Sequence, residues 1–222
     1  GFGQTPTWSA DIAPILYNHC GTCHRTGGIG PFSVETYTEV SDHAFSILDA
    51  VISREMPPWR ADPDYRHFKD ENLLSDAQID AIQDWVLGGK PAGDLSQAPP
   101  FPNFQGGSQL SQVDITLETP SYTVAQVTDE YRAFVIPTNV NQDKFFNEIE
   151  IDPGNDAIVH HIVVYTDPTD DPLIRDQADP GPGFKTNGMV GNITLNATLI
   201  GEWTPGGTPI KLPPNFGYRI PA

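Results

Sequence analysis

The chain has 222 residues and carries 29 Asp and Glu against 12 Lys and Arg, a formal net charge of −17. So acidic a protein lacks the basic surface that nucleic acid or anionic lipid requires, and it suits a basic protein partner. The length allows one large domain or two, the 22 prolines and 20 glycines favour turns and short strands, and no stretch reaches the length of a transmembrane helix.

The N-terminal Gly1-Phe2-Gly3-Gln4-Thr5 has no basic and apolar signal region and reads as a mature end left after export. Apolar Ile12, Ile15 and Leu16 then recur at helical spacing over 11–18. This first helix runs into Cys20-Gly21-Thr22-Cys23-His24, which uses both cysteines of the chain. A second helix is predicted over 34–54 from Tyr37, Val40, Ala44, Ile47, Leu48, Val51 and Ile52. Met56 follows it in a stiff Met56-Pro57-Pro58-Trp59 run. The third helix carries the clearest local signals. Ser75 and Gln78 have capping-box spacing, and Leu74 and Ile79 occupy hydrophobic-staple positions. Ile79, Ile82, Trp85 and Val86 form one face, and Gly88-Gly89 ends the helix.

Residues 93–111 continue a Pro-, Gly- and Ser-rich stretch that begins at Pro91, and read as an extended, solvated linker between domains 1–92 and 112–222. Beyond it, residues 113–118, 122–126, 131–136, 145–151 and 158–165 are short runs rich in β-branched and aromatic residues, separated by turn signals. They predict an antiparallel β-sandwich. Residues 170–191 lack periodicity and read as a long loop. The fold class expected is therefore α + β in two domains, a small helical one followed by the sandwich.

Cys-x-x-Cys-His has a specific chemistry. Two thiols one helical turn apart each bond a vinyl group of one porphyrin, and the adjoining histidine comes beneath the iron. A redox dithiol would instead follow a strand in an α/β domain. Zinc would need a second ligand pair, which the sequence lacks. One covalent c-type haem on Cys20 and Cys23, with His24 axial, is the reading these residues favour. Met56 is the candidate for the opposite axial position, where methionine raises the potential and suits electron transfer. Filling core space is the competing role for Met56. His67 is its strongest rival as ligand. His19 adjoins Cys20 and reaches the far face poorly, and His43 is expected as a solvated residue on a polar helix face.

With these residues in view the chain resembles bacterial proteins in which a small class I cytochrome c domain precedes a copper type II, ascorbate-dependent monooxygenase module. That module is of the peptidylglycine alpha-hydroxylating type. The likeness rests on Asp11-Ile12-Ala13-Pro14-Ile15-Leu16, Gly30-Pro31-Phe32, Met56-Pro57-Pro58-Trp59 and Ala61-Asp62-Pro63. In the second half it rests on Glu130-Tyr131-Arg132, on Val159-His160-His161-Ile162-Val163-Val164-Tyr165 and on Lys211-Leu212-Pro213-Pro214. The resemblance implies a jelly-roll-like sandwich and, at His160 and His161, a pair of copper ligands. Neighbours in a regular strand point to opposite faces, so the two share a metal only where the strand bulges or ends.

Three functions follow. The first is single-electron transfer by the haem, with the sandwich docking a basic redox partner. The second is the N-terminal part of a haem-fed copper monooxygenase. No histidine lies beyond His161, so this second function expects further sequence or another chain to complete the copper sites. The third is a structural subunit of a larger complex. Haem attachment to such a motif occurs outside the bacterial cytoplasm, so the resemblance implies a periplasmic or extracellular protein.

Overall fold

The computed structural model describes residues 5–104, 108–125, 128–188 and 194–222. The expected mature end at 1–4, residues 105–107 of the expected linker, Gln126 of the second expected strand and residues 189–191 at the close of the expected loop lie outside them. The architecture is mixed α+β, with α-helices and small antiparallel ladders. Contacts divide the chain into two compact units. One is Gly1–Gly106 with Gly154–Val159, the other Gly107–Pro153 with His160–Ala222.

In the first unit the chain enters through a turn of π-helix, Trp8–Ile12, and continues as α1, Ala13–His19. Pro14 stands in the first turn of α1, where a missing N–H costs nothing. Helix α2 is Tyr37–Ile52 and α3 is Asp76–Leu87. Both open on complete capping boxes. The Thr36 side chain accepts from the Glu39 N–H while the Glu39 carboxylate accepts from the Thr36 N–H, and Ser75 and Gln78 do the same. Each such cap contributes about 1 kcal/mol. At the far end of α3 the left-handed residue is Gly89, with φ +88°.

The helices bury their periodic faces in one core. It contains Ile12, Leu16 and Tyr17 from the first helical segment and Val40, Ala44, Ile47, Leu48 and Val51 from α2. From α3 come Ile82, Trp85 and Val86. Ile79 is only partly buried against it. Trp8 and Trp85, both nearly inaccessible, meet at its centre with ring centroids 6.4 Å apart. Burying each large apolar side chain contributes about 1.5–3 kcal/mol.

The stretch read as a solvated linker is partly tied to this core. The Pro91 carbonyl accepts from the Trp8 amide and from Trp85 Nε1, and Ala92 O accepts from the Ser9 amide. Phe101 packs edge-on against Tyr17 at 5.0 Å. Composition signals an extended backbone, but an extended backbone also offers free carbonyls to buried donors.

The second unit contains strands β1, Tyr131–Ala133; β2, Lys144–Phe146; β3, Glu148–Ile149; β4, Ile162–Thr166; β5, Phe184–Thr186; β6, Thr198–Trp203; β7, Ile210–Lys211; and β8, Tyr218–Ile220. They pair antiparallel as β1–β5, β2–β8, β3–β7 and β4–β6. The last three pairings are nested, β4–β6 innermost and β2–β8 outermost. A register shift between Val164 and Tyr165 bends the innermost ladder. Each ladder stops at two strands among the described residues, short of the continuous sandwich sheets expected. The runs at 113–118 and at 122–125 form no strand. Val113, Ile115 and Leu117 are exposed, because no described strand supplies the ladder partner that would turn their alternation into a buried face. The expected loop over 170–191 contains α4, Asp171–Ala178, and β5. Among the described residues of the second unit Phe184, Ile200 and Trp203 are the most buried apolar side chains, and Ile149 and Ile151 pack over Gly201, where a Cβ would lie 3.3–3.5 Å from them.

Candidate functional site

The Cys-x-x-Cys-His segment lies just beyond α1 and keeps a helical course. Cys20 O accepts from the amides of Cys23, at 3.1 Å, and His24, at 2.9 Å. The two thiols and the imidazole therefore leave positions i, i+3 and i+4 of one turn. Burial pushes the Cys20 thiol up to about 12, and neighbouring Cys23 adds to the rise. Cys23 is also raised, first by burial, with Arg25 opposing and Asp156 assisting. Reactive redox thiols and zinc thiolates need the opposite, a depressed thiol in an electropositive setting. Both cysteines are free thiols here.

The imidazole of His24 is oriented from behind. Its Nδ1 lies 3.1 Å from the Phe32 carbonyl. A carbonyl can only accept, so Nδ1 carries the hydrogen and Nε2 is left to face a metal. The connection 25–33 that brings Phe32 back is closed at both ends. Val34 N–H donates to His24 O at 3.0 Å, Gly30 N–H to Cys23 O at 2.9 Å, and Thr26 N–H to the Glu35 carboxylate at 2.6 Å. Gly30 lies so close to the imidazole that a Cβ there would come within 2.7 Å of His24 Nδ1. Arg25, next in sequence, is fixed by Asp156 at 2.5 Å and by Thr22 O.

The other histidines of this unit are already engaged. His19 Nδ1 meets Asn72 Oδ1 at 2.8 Å, its Nε2 meets Gln78 Nε2 at 3.1 Å, and Asn72 Nδ2 donates to His19 O. His19 thus ties the end of α1 to the start of α3. His67 is exposed, with Nδ1 2.8 Å from Glu71. His43 was expected to be solvated. Instead it is partly buried and stacks on Phe32, ring centroids 4.1 Å apart and planes 6° apart. Helical spacing alone assigned it to a polar face, because the ring that covers it arrives from the loop after the cysteines.

Met56 is partly exposed, at 37 %, with its amide bonded to Ala50 O at 3.1 Å. The loop thus leaves its thioether at the surface of the described chain rather than in the core. Three residues on, the indole Nε1 of Trp59 is buried and has no acceptor among the described residues. A buried donor left unpaired costs about 1–3 kcal/mol, and an acceptor is what it lacks. Haem carries two propionate carboxylates, so the orphaned donor fits the group that the cysteines suggest.

In the second unit His160 and His161 lie side by side ahead of β4, which begins at Ile162. Free of the strand's alternation, both exposed rings turn the same way, with Nδ1 atoms 3.0 Å apart. Two nitrogens that close require one to donate to the other or both to face one cation. Among the described residues no three His, Cys, Asp or Glu side chains gather as a metal site, and the pair offers two imidazoles.

Sequence reasoning did not assign Gly30, the Phe32 carbonyl, His43 or Trp59 Nε1. Gly30-Pro31-Phe32, a short signal after the motif, pointed to the first two and Met56-Pro57-Pro58-Trp59 to the last, while His43 was read as a solvated residue of a polar helix face. No protein-family model, curated protein or solved structure matches the chain. No helix among the described residues is long and apolar enough to cross a membrane.

Proposed function

We propose that the chain is a single-haem electron-transfer protein, with haem c bonded through Cys20 and Cys23 and His24 as axial ligand. The observation that carries the reading is the His24 ring, held by the Phe32 carbonyl with Nε2 free, in one helical turn with two protonated, poorly reactive thiols. Bound haem would supply a one-electron Fe(III)/Fe(II) couple. The chain's own residues would set its properties. His24 donates one nitrogen and is kept in one tautomer. Met56, on the loop after α2, would provide a thioether opposite and raise the potential. Trp59 would donate its indole N–H to a propionate. The acidic surface would steer a basic redox partner. Such a protein would be exported, to the periplasm or beyond.

The helical character of the first unit supports a small cytochrome c domain, and the nested antiparallel pairings of the second support a jelly-roll-like sandwich. A reduced-minus-oxidised spectrum combined with metal analysis tests the reading. One iron per chain, a denaturation-resistant haem and low-spin bands are expected; a colourless protein matured in a haem-attaching host would overturn it.

A second reading is favoured by one observation, the convergent Nδ1 atoms of His160 and His161. In it the chain is the N-terminal part of a copper monooxygenase that the haem feeds with electrons. Bound copper would supply a one-electron site, and further ligands would have to come from elsewhere. Copper retained in proportion to chain after dialysis supports this reading, and its absence sinks it.

A further inference from the structure

We infer that His43 is a positioning residue for the axial imidazole, acting on His24 through Phe32; the inference rests on the haem reading. Phe32 meets both histidines. Its carbonyl accepts from His24 Nδ1 at 3.1 Å, and its ring centroid lies 4.8 Å from that of His24. The opposite contact is the parallel stack on His43 at 4.1 Å. His43 is itself anchored, its Nδ1 2.8 Å from Glu39 O, and since that carbonyl only accepts, the hydrogen is on Nδ1. Glu39 belongs to the capping box that starts α2, so the stack rests on the rigid first turns of a sixteen-residue helix.

The hydrogen bonds that close the connection 25–33 act on other residues. Thr26, Gly30 and Val34 are tied down, whereas Phe32, the residue that holds the imidazole, is gripped by its ring against His43. Freeing that ring lets the Phe32 carbonyl swing, and with it the plane of His24 and the strength of the Nδ1–H bond. That bond sets how strongly the other nitrogen donates to iron, so α2 tunes the haem through one aromatic contact. Sequence spacing places His43 nineteen positions from His24, with nothing to connect them until the loop folds back.

The test uses the full haem-loaded chain in wild-type, His43→Ala and His43→Phe forms. The readouts are midpoint potential and the hyperfine-shifted haem methyl resonances, which report the angle of the axial imidazole. His43→Ala is expected to shift both, and His43→Phe, which keeps the stack without the imidazole, to restore both. Phe32→Leu, which keeps the carbonyl but loses the stack, is expected to reproduce the His43→Ala shift even if His43→Ala folds poorly. Unchanged potential and resonances in His43→Ala or in Phe32→Leu, or a His43→Phe shift as large as that of His43→Ala, would overturn the inference. Failure of the haem reading itself is separable. If wild-type chain takes up no haem, the His24 Nδ1–H signal in nitrogen-15 spectra of the haem-free chain is the readout. Its loss in His43→Ala and retention in His43→Phe then support positioning alone, and its retention in both overturns it.

Discussion

The Nδ1 atoms of His160 and His161 lie 3.0 Å apart, because the pair precedes β4 rather than forming part of it. Adjacent strand residues would have faced opposite ways. Replacing either histidine by alanine is expected to abolish any retained copper, since one imidazole is a poor chelator. Both rings are exposed, so stability should change by no more than about 0.5 kcal/mol. Equilibrium dialysis with copper, alongside thermal melts, checks both. Retention of copper by either alanine variant would show that the pair is not the site.

The raised thiols make alkaline stability a reporter of haem attachment. A thiol whose value is higher folded than unfolded contributes stability fully present below the unfolded value, about 8.5. That contribution is lost as pH rises toward the folded value, which for Cys20 is about 12. Haem-free chain should therefore lose stability progressively above about pH 8.5. In haem-loaded chain thioethers have no proton to lose, so this loss should be absent. Urea melts at several alkaline pH values on the two forms measure it, and equal pH slopes would count against the attachment.

Gly30→Ala is expected to be disproportionately harmful. The added Cβ would stand 2.7–2.9 Å from three atoms of His24, so the imidazole must move. Overpacking of this kind costs about 1–3 kcal/mol, and here the displaced group is the proposed iron ligand. Reduced haem occupancy or an altered ferrous spectrum should accompany a lower melting temperature. At Gly154 an added Cβ would meet nothing within 4 Å, so Gly154→Ala reports the strain of a left-handed backbone, φ +72°, without the crowding that Gly30→Ala brings.

Met56→Ala should leave covalent haem in place and lower the midpoint potential by an appreciable part of the ~0.8 V range that axial ligands span. The side chain is partly exposed, so the fold should survive. A potential unchanged from wild type would assign the second axial position to another residue.

Arg132 organises the second unit in a comparable way. Its guanidinium pairs with Asp179 at 3.0 Å and Glu130 at 3.4 Å, donates to the carbonyls of Pro182 and Gly183, and covers the Tyr122 ring at 4.7 Å. Arg132 and Glu130 side chains are only 11 % and 7 % exposed, so Arg132→Ala removes the cation facing a buried carboxylate, which keeps the Tyr122 hydroxyl as a donor, and should cost about 3 kcal/mol. Asp179 is held below the usual carboxylate range, first by the amides of Gly181 and Lys185 and then by Arg132. Its contribution is present above an unfolded value of about 3.9 and fades as pH falls through the lower folded one. Acid melts of wild type and Asp179→Asn should therefore converge at low pH.

Local chemistry was legible without coordinates. The third helix could be read from Ser75, Gln78, Leu74 and Gly88-Gly89 because a cap, a staple and a stop act within one turn of each other. The Cys20, Cys23 and His24 grouping could be read because one helical turn is all the geometry it needs. Strands were legible only where their partners confirmed them. Residues 113–118 alternate as a strand should and pair with nothing among the described residues, while α4 and β5 arose in a stretch without periodicity. A ladder is a property of two segments, and one segment's pattern does not name the other.

Sequence by itself therefore determined the acidic composition, the three capped or periodic helical stretches, and the Cys20, Cys23 and His24 grouping on which the haem proposal rests. Only the tertiary structure decided that Phe32 closes on His24 with its carbonyl and ring and on His43 with its ring. It also decided that Pro91 serves two buried tryptophans and that Trp59 buries a donor without an acceptor. The division has one cause. Propensity, capping and motif chemistry act over a few residues, whereas a carbonyl, a ring face or a buried N–H acquires its partner only when distant segments pack and exclude water.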